Sequence, residues 1–87
     1  MPVEIIGELP KSVDQTVRQV LHRALDGRRQ LFVVDVSWPH AELIIAIQKP
    51  FGRRLKFNHP SEAEIARELY ATIMAIADEK CGPMQAS

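Results

Sequence analysis

Hydrophobic and polar positions follow two rhythms along this chain, and each change of rhythm marks an element. Over residues 12–25, Val13, Val17, Val20, Leu21 and Ala24 recur at the spacing of one helical face. Ser12 and Gln15 have the spacing of a capping box, Asp14 adds an anion in the first turn, and Gly27 supplies a stop. A longer helix is predicted over residues 61–80. Ile65, Leu69, Ile73 and Ile76 line one face, and Ala66, Tyr70 and Ala77 widen it. Ser61 and Glu64 repeat the capping box, Glu62 adds charge at the helix start, and Gly82 and Pro83 end it. Ala71, Met74 and Ala75 fall on its outer side.

Between the helices the rhythm shortens to two. Residues 30–37 are rich in Leu, Phe and Val and read as a strand, broken by Ser37-Trp38-Pro39-His40. Residues 42–49 contain three isoleucines in a run short for a helix and ended by Pro50, so they too read as a strand. Pro50-Phe51-Gly52 is a turn signal, with proline presetting one dihedral and glycine permitting an unusual one. Residues 53–58 alternate as an antiparallel strand should. Val3, Ile5 and Ile6 before Gly7 add a candidate short strand in front. The expected fold is α+β, in the order (β)αβββα: a three- or four-stranded antiparallel sheet with two helices packed on one face. Residues 1–82 make one domain and residues 83–87 a flexible C-terminal tail.

Alternation also sorts the strands into faces. Phe32, Val34, Val36, Leu43, Ile45, Ile47, Leu55 and Phe57 belong to the helix-covered face. Leu31, Val33, Asp35, Ile44, Ala46, Arg54, Lys56 and Asn58 belong to the other. That second face is apolar on two strands and basic on the third, and a sheet open to water is normally more polar. It therefore calls for a cover, either the N-terminal segment or the sheet of a second copy.

Composition changes this picture little. The chain has 87 residues, 46% hydrophobic and 25% charged, which excludes disorder for its body and suits one small globular domain. A lone cysteine, Cys81, allows no internal disulfide. At a helix C-terminus, where the dipole disfavours a thiolate, it is expected to be a quiet thiol. No secretory signal and no membrane-length apolar run is visible, so a soluble, cytoplasmic protein is expected.

Charge is more informative. No acidic residue lies between Glu42 and Glu62, and residues 49–59 hold Lys49, Arg53, Arg54 and Lys56 with Phe51 and Phe57. A basic turn with interleaved aromatics is one form of nucleic-acid contact, with Phe51 at the tip. A solvated edge hairpin, whose cations discourage edge pairing, has the same composition. Alternation sends Arg53 to one side and Arg54 and Lys56 to the other. Phe32 and Phe57 fall on the inner face, and Leu31, Val33 and Ile44 are poor platforms for base stacking.

The helix–strand–strand–strand–helix order, with Pro39-His40-Ala41 before the second strand, is similar to the double-stranded-RNA-binding domain. That family places a lysine cluster at the start of its last helix. Ser61-Glu62-Ala63-Glu64 stands there instead and would repel phosphates, and the family's glycine-rich turns are missing, so the chain is not assigned to it.

Asp35, His40 and Glu42 offer three metal-ligand types within eight residues, in a spacing that matches no established motif. Asp35 has Arg54 or Lys56 as candidate ion-pair partners. His22 reads as a surface residue and His59 as a strand end. No phosphate loop, nucleophile elbow or paired-cysteine motif occurs.

The leading expectation is a small protein-interaction module without catalytic activity, cofactor or metal. It forms a homodimer through the open sheet face or the sheet edge, or binds another protein. Leu31, Val33, Ile44, Ala46, Arg54 and Lys56 form the interface. The alternative is a nucleic-acid-binding module in which Lys49, Arg53, Arg54 and Lys56 contact phosphates. A third reading is a small-molecule or metal-binding accessory protein centred on Asp35, Trp38 and His40. No membrane partner is expected.

Overall fold

The apolar alternation of the middle strands folds into a four-stranded sheet in the order β1-β2-β3-β4. The structure, a computed structural model, describes residues 3–82. The strands are β1 (Val3–Ile6), β2 (Phe32–Ser37), β3 (Glu42–Lys49) and β4 (Arg53–Asn58). Helix α1 (Lys11–Leu25) connects β1 to β2. The expected element order holds, but the sheet is mixed. Because α1 crosses over between them, β1 and β2 run in the same direction and pair in parallel, whereas β2, β3 and β4 pair antiparallel.

Helix α1 starts earlier than its capping-box pattern suggests. Pro10 occupies the N-cap position with no side-chain cap, and its carbonyl accepts from the amides of Val13 and Asp14. Ser12 is therefore an exposed residue inside the helix. Gly27 follows the helix without a positive φ. At the second, the Ser61 cap forms: Ser61 Oγ accepts from the Glu64 amide at 3.2 Å, and its hydroxyl lies 3.3 Å from Glu64 Oε1.

From that cap run α2 (Glu62–Glu64), a π-helical segment (Ile65–Leu69) and α3 (Tyr70–Cys81), with helical dihedrals at both junctions. The π segment has a reason in the pattern. Ile65, Leu69, Ile73 and Ala77 recur every fourth residue, wider than the 3.6-residue α turn. A straight α-helix would carry this row off the seam. A π turn, with its i→i+5 bonds, absorbs the excess. All four are buried, whereas Ala66 is exposed and does not widen the face as expected. Met74, expected outside, packs against the core. Gly82 ends the helix at φ 81°, a conformation glycine adopts without strain.

The core lies between the sheet and both helices. Val13, Val17 and Leu21 of α1 and Leu69 and Ile73 of the second helix pack in one cluster with Phe32, Val34, Val36, Leu43, Ile45 and Ile47. Leu55, Phe57 and Trp38 are partly buried against it. The inner face is thus the one the alternation assigns.

Two loops carry backbone in the left-handed region. His40 and Ala41, in the 3-10 turn Pro39–Ala41 between β2 and β3, have φ of 53° and 62°. His59, at φ 45°, donates its amide to the Ala41 carbonyl at 3.2 Å and joins the two loops. The β3–β4 turn contains a cis Lys49–Pro50 peptide, and Gly52 there has no positive φ. The expectation for the 83–87 tail falls outside the described residues, and that for the thiol concerns the Cys81 side chain, which is likewise not described.

Candidate functional site

The strand register builds the outer face row by row. Ile6 pairs with Asp35, Asp35 with Ala46, and Ala46 with Arg54, so one rung crosses all four strands. The next rung holds Ser37, Ile44 and Lys56, and Glu4 lies beside Val33. Paired residues share a face, and the neighbours that alternate with them fill the core beneath the helices. The outer face therefore carries Ile6, Val33, Ile44 and Ala46, with Leu31 just before β2, interrupted by Glu4 and Asp35 and bordered on β4 by Arg54 and Lys56.

The described residues leave this face without a cover. Both helices pack on the opposite side, and β1, the candidate lid, instead extends the sheet as an edge strand beside β2. Ile6 at 43% and Leu31 at 50% are the large hydrophobic residues that stand exposed. Val33 is buried at 9%, and Ile44 and Ala46 are half-buried.

Charge on this face is divided. Lys56 Nζ lies 3.1 Å from Glu42 Oε2 across β3 and β4, a diagonal cross-strand pair that accounts for both groups. Asp35 is not the partner of Lys56 or of Arg54. Its carboxylate and the Arg54 guanidinium make no side-chain hydrogen bond or ion pair among the described residues. Asp35 leans toward Gly7, whose φ of 106° and close approach to the Val36 carbonyl leave no room for a side chain.

The basic hairpin does not assemble a phosphate grip. Lys49, Arg53, Arg54 and Lys56 are all exposed, but Arg53 shares the side of Leu55, Arg54 and Lys56 take the other, and Lys56 is already paired. Phe51 is not a free tip. It turns inward and meets Phe32 edge-on, with ring centroids 6.1 Å apart and planes at 90°.

The remaining candidates also disperse. Among the described residues no three His, Cys, Asp or Glu side chains converge to hold a metal, so Asp35, His40 and Glu42 do not form a site. Trp38 packs against the core, and His40 is exposed. His22 pairs with Asp26 along α1 at 3.3 Å. A shallow depression on the solvent side of α1, lined by Asp14, Arg18, His22 and Arg23, belongs to that helix alone. No helix among the described residues is long and apolar enough to cross a membrane.

One important residue escaped the pattern. Arg28, in the loop after α1, is 6% exposed. Its guanidinium donates to Asp78 Oδ1 at 2.7 Å, to the Gly82 carbonyl at 2.9 Å and to the Ala24 carbonyl at 3.2 Å. This is a fastening between the two helices, remote from the open face. Compared with known proteins, the chain matches no family model, no curated protein and no solved structure.

Proposed function

We propose that the protein is a small interaction module that self-associates as a homodimer through the outer face of its sheet. The observation that carries this reading is the outer face itself: uncovered by any described element, with Val33, Ile44 and Ala46 on its central strands and Ile6 and Leu31 exposed upon it. Two-fold association of like faces is the commonest way for a small domain to bury such a surface.

The face is favoured over the sheet edges on physical grounds. Edge strand β1 is four residues long, and edge strand β4 carries Arg53, Arg54 and Lys56. Short, cationic edges resist strand addition. The interface residues are Leu31, Val33, Ile44 and Ala46, with Ile6 added from β1 and Arg54 and Lys56 at the rim. A binding role without a reaction of its own goes with this reading, as does a cytoplasmic setting for a chain whose single cysteine permits no internal disulfide.

The test is Ile44→Arg, which sets a cation in the middle of the face without touching the core. The variant is expected to keep the wild-type circular dichroism spectrum and to run as a monomer where the wild type is dimeric. A folded variant with wild-type dimer mass removes the reading.

A further inference from the structure

The rung Asp35–Ala46–Arg54 is charge-antisymmetric about its centre. An acid and a base, each unpaired among the described residues, lie one strand to either side of the small residue Ala46. Neighbouring strands are about 4.8 Å apart, so the two backbones are roughly 10 Å apart, and the two side chains form no ion pair with each other across Ala46.

The geometry points to a two-fold axis that runs parallel to β3 and passes over Ala46, with a second copy of this chain as the occupant of the face. This inference rests on the open-face dimer proposed above and specifies its register. Rotation about such an axis exchanges left and right across the rung and inverts the face. Asp35 of each copy then stands opposite Arg54 of the other, which gives two reciprocal ion pairs from one sequence.

Other features of the central strands agree with this placement, which leaves Ile6 of edge strand β1 at the rim of the contact. Ala46 meets its own equivalent at the axis, where a small side chain lets the sheets approach to the usual spacing of about 10 Å. Ile44, two positions along the same strand, stacks near its equivalent as the apolar centre. Lys56, neutralised by Glu42 within its own chain, brings no uncompensated charge to the contact. Arg54 is exposed on an edge strand, and its long side chain has the reach to meet a carboxylate that leans toward Gly7. Packed aligned with the usual twist, the two sheets form a sandwich with the helices outside.

The experiment is a charge swap, read as solution mass by light scattering at the micromolar concentration where the wild type is dimeric. Asp35→Lys alone puts two like-charge contacts in a homodimer, as does Arg54→Glu alone, and each variant is expected to be monomeric. In an equimolar mixture of the two variants, both contacts across the axis again join opposite charges. One is the native pair of Arg54 with Asp35, and the other is the same pair with its signs reversed. The mixture is expected to return the dimer as a one-to-one heterodimer. Folded single variants that stay dimeric, or a mixture that stays monomeric, overturn this axis while leaving the open-face dimer to the Ile44→Arg result. A monomeric wild type overturns both. Should Asp35→Lys not fold, Asp35→Asn keeps the question answerable. Wild-type dimer affinity is expected to fall with added salt, and the Asp35→Asn variant to be weaker and less salt-dependent. An unchanged affinity and salt slope in that variant overturns the axis.

Discussion

Arg28 Nη2 donates to Asp78 Oδ1 at 2.7 Å across a separation of 50 residues, and this contact fastens the loop after α1 to the end of α3. The arginine side chain is 2% exposed and the aspartate 46%. A buried guanidinium needs its partners, because an unsatisfied buried charge is far more costly than the pair is stabilising.

Asp78→Ala removes the carboxylate and leaves Arg28 with the Ala24 and Gly82 carbonyls and the weak Met74 Sδ acceptor at 3.6 Å. We expect a loss of about 1.5–3 kcal/mol, the usual range for a hydrogen bond to a charged group. In a domain of this size each kcal/mol lowers the melting temperature by about 4–8 °C. A thermal melt that matches wild type would show that the clamp contributes nothing.

Gly7 is held at φ 106° against the Val36 carbonyl, where β1 leaves β2. Gly7→Ala places a Cβ in overlap with that oxygen and in a strained backbone region. The conformational cost alone is about 1–3 kcal/mol. The expected result is a lower denaturation midpoint and faster hydrogen exchange of the β1 and β2 amides. Exchange unchanged at β2 would contradict this account of the parallel pair.

Much of this architecture was legible in the sequence. Period-two alternation predicts β3 and β4 with the boundaries they have, and it sorts both faces correctly, because side chains in a strand have only two directions to point. The Ser61 cap and the apolar row of the last helix are equally local signals. What remained hidden depends on contacts distant in sequence. The parallel pairing of β1 needs the crossover to be known, and Arg28 carries no periodicity. Ser12 lost its cap role because Pro10 two residues earlier serves as the start. Two signals were available. The every-fourth spacing of Ile65, Leu69, Ile73 and Ala77 already exceeds an α turn, and hairpin register alone brings Glu42 diagonally beside Lys56. For the open face, the unexpected part was that β1 extends the sheet rather than covering it.

Ala41 is held at φ 62°, in a region that costs a residue with a Cβ about 1–2 kcal/mol. Ala41→Gly relieves that strain and adds a smaller entropic penalty from the unfolded chain. A net stabilisation of about 0.5–1 kcal/mol is expected in chemical denaturation. A destabilised variant would mean that the methyl group contributes packing that outweighs the strain.

Phe51 separates the two readings of the hairpin. As a packing residue against Phe32 it is expected to cost about 1–3 kcal/mol when changed to alanine. At low salt the wild-type chain is expected to leave the mobility of mixed RNA and DNA unchanged. A salt-dependent shift abolished by alanine at Arg53, Arg54 and Lys56 would instead restore the nucleic-acid reading.

A second copy on the outer sheet face doubles the solution mass of the wild-type protein. Multi-angle light scattering across a micromolar dilution series is expected to give twice the 9.8 kDa chain mass, falling toward one chain only on dilution. A mass of 9.8 kDa throughout that series would rule out self-association through this face.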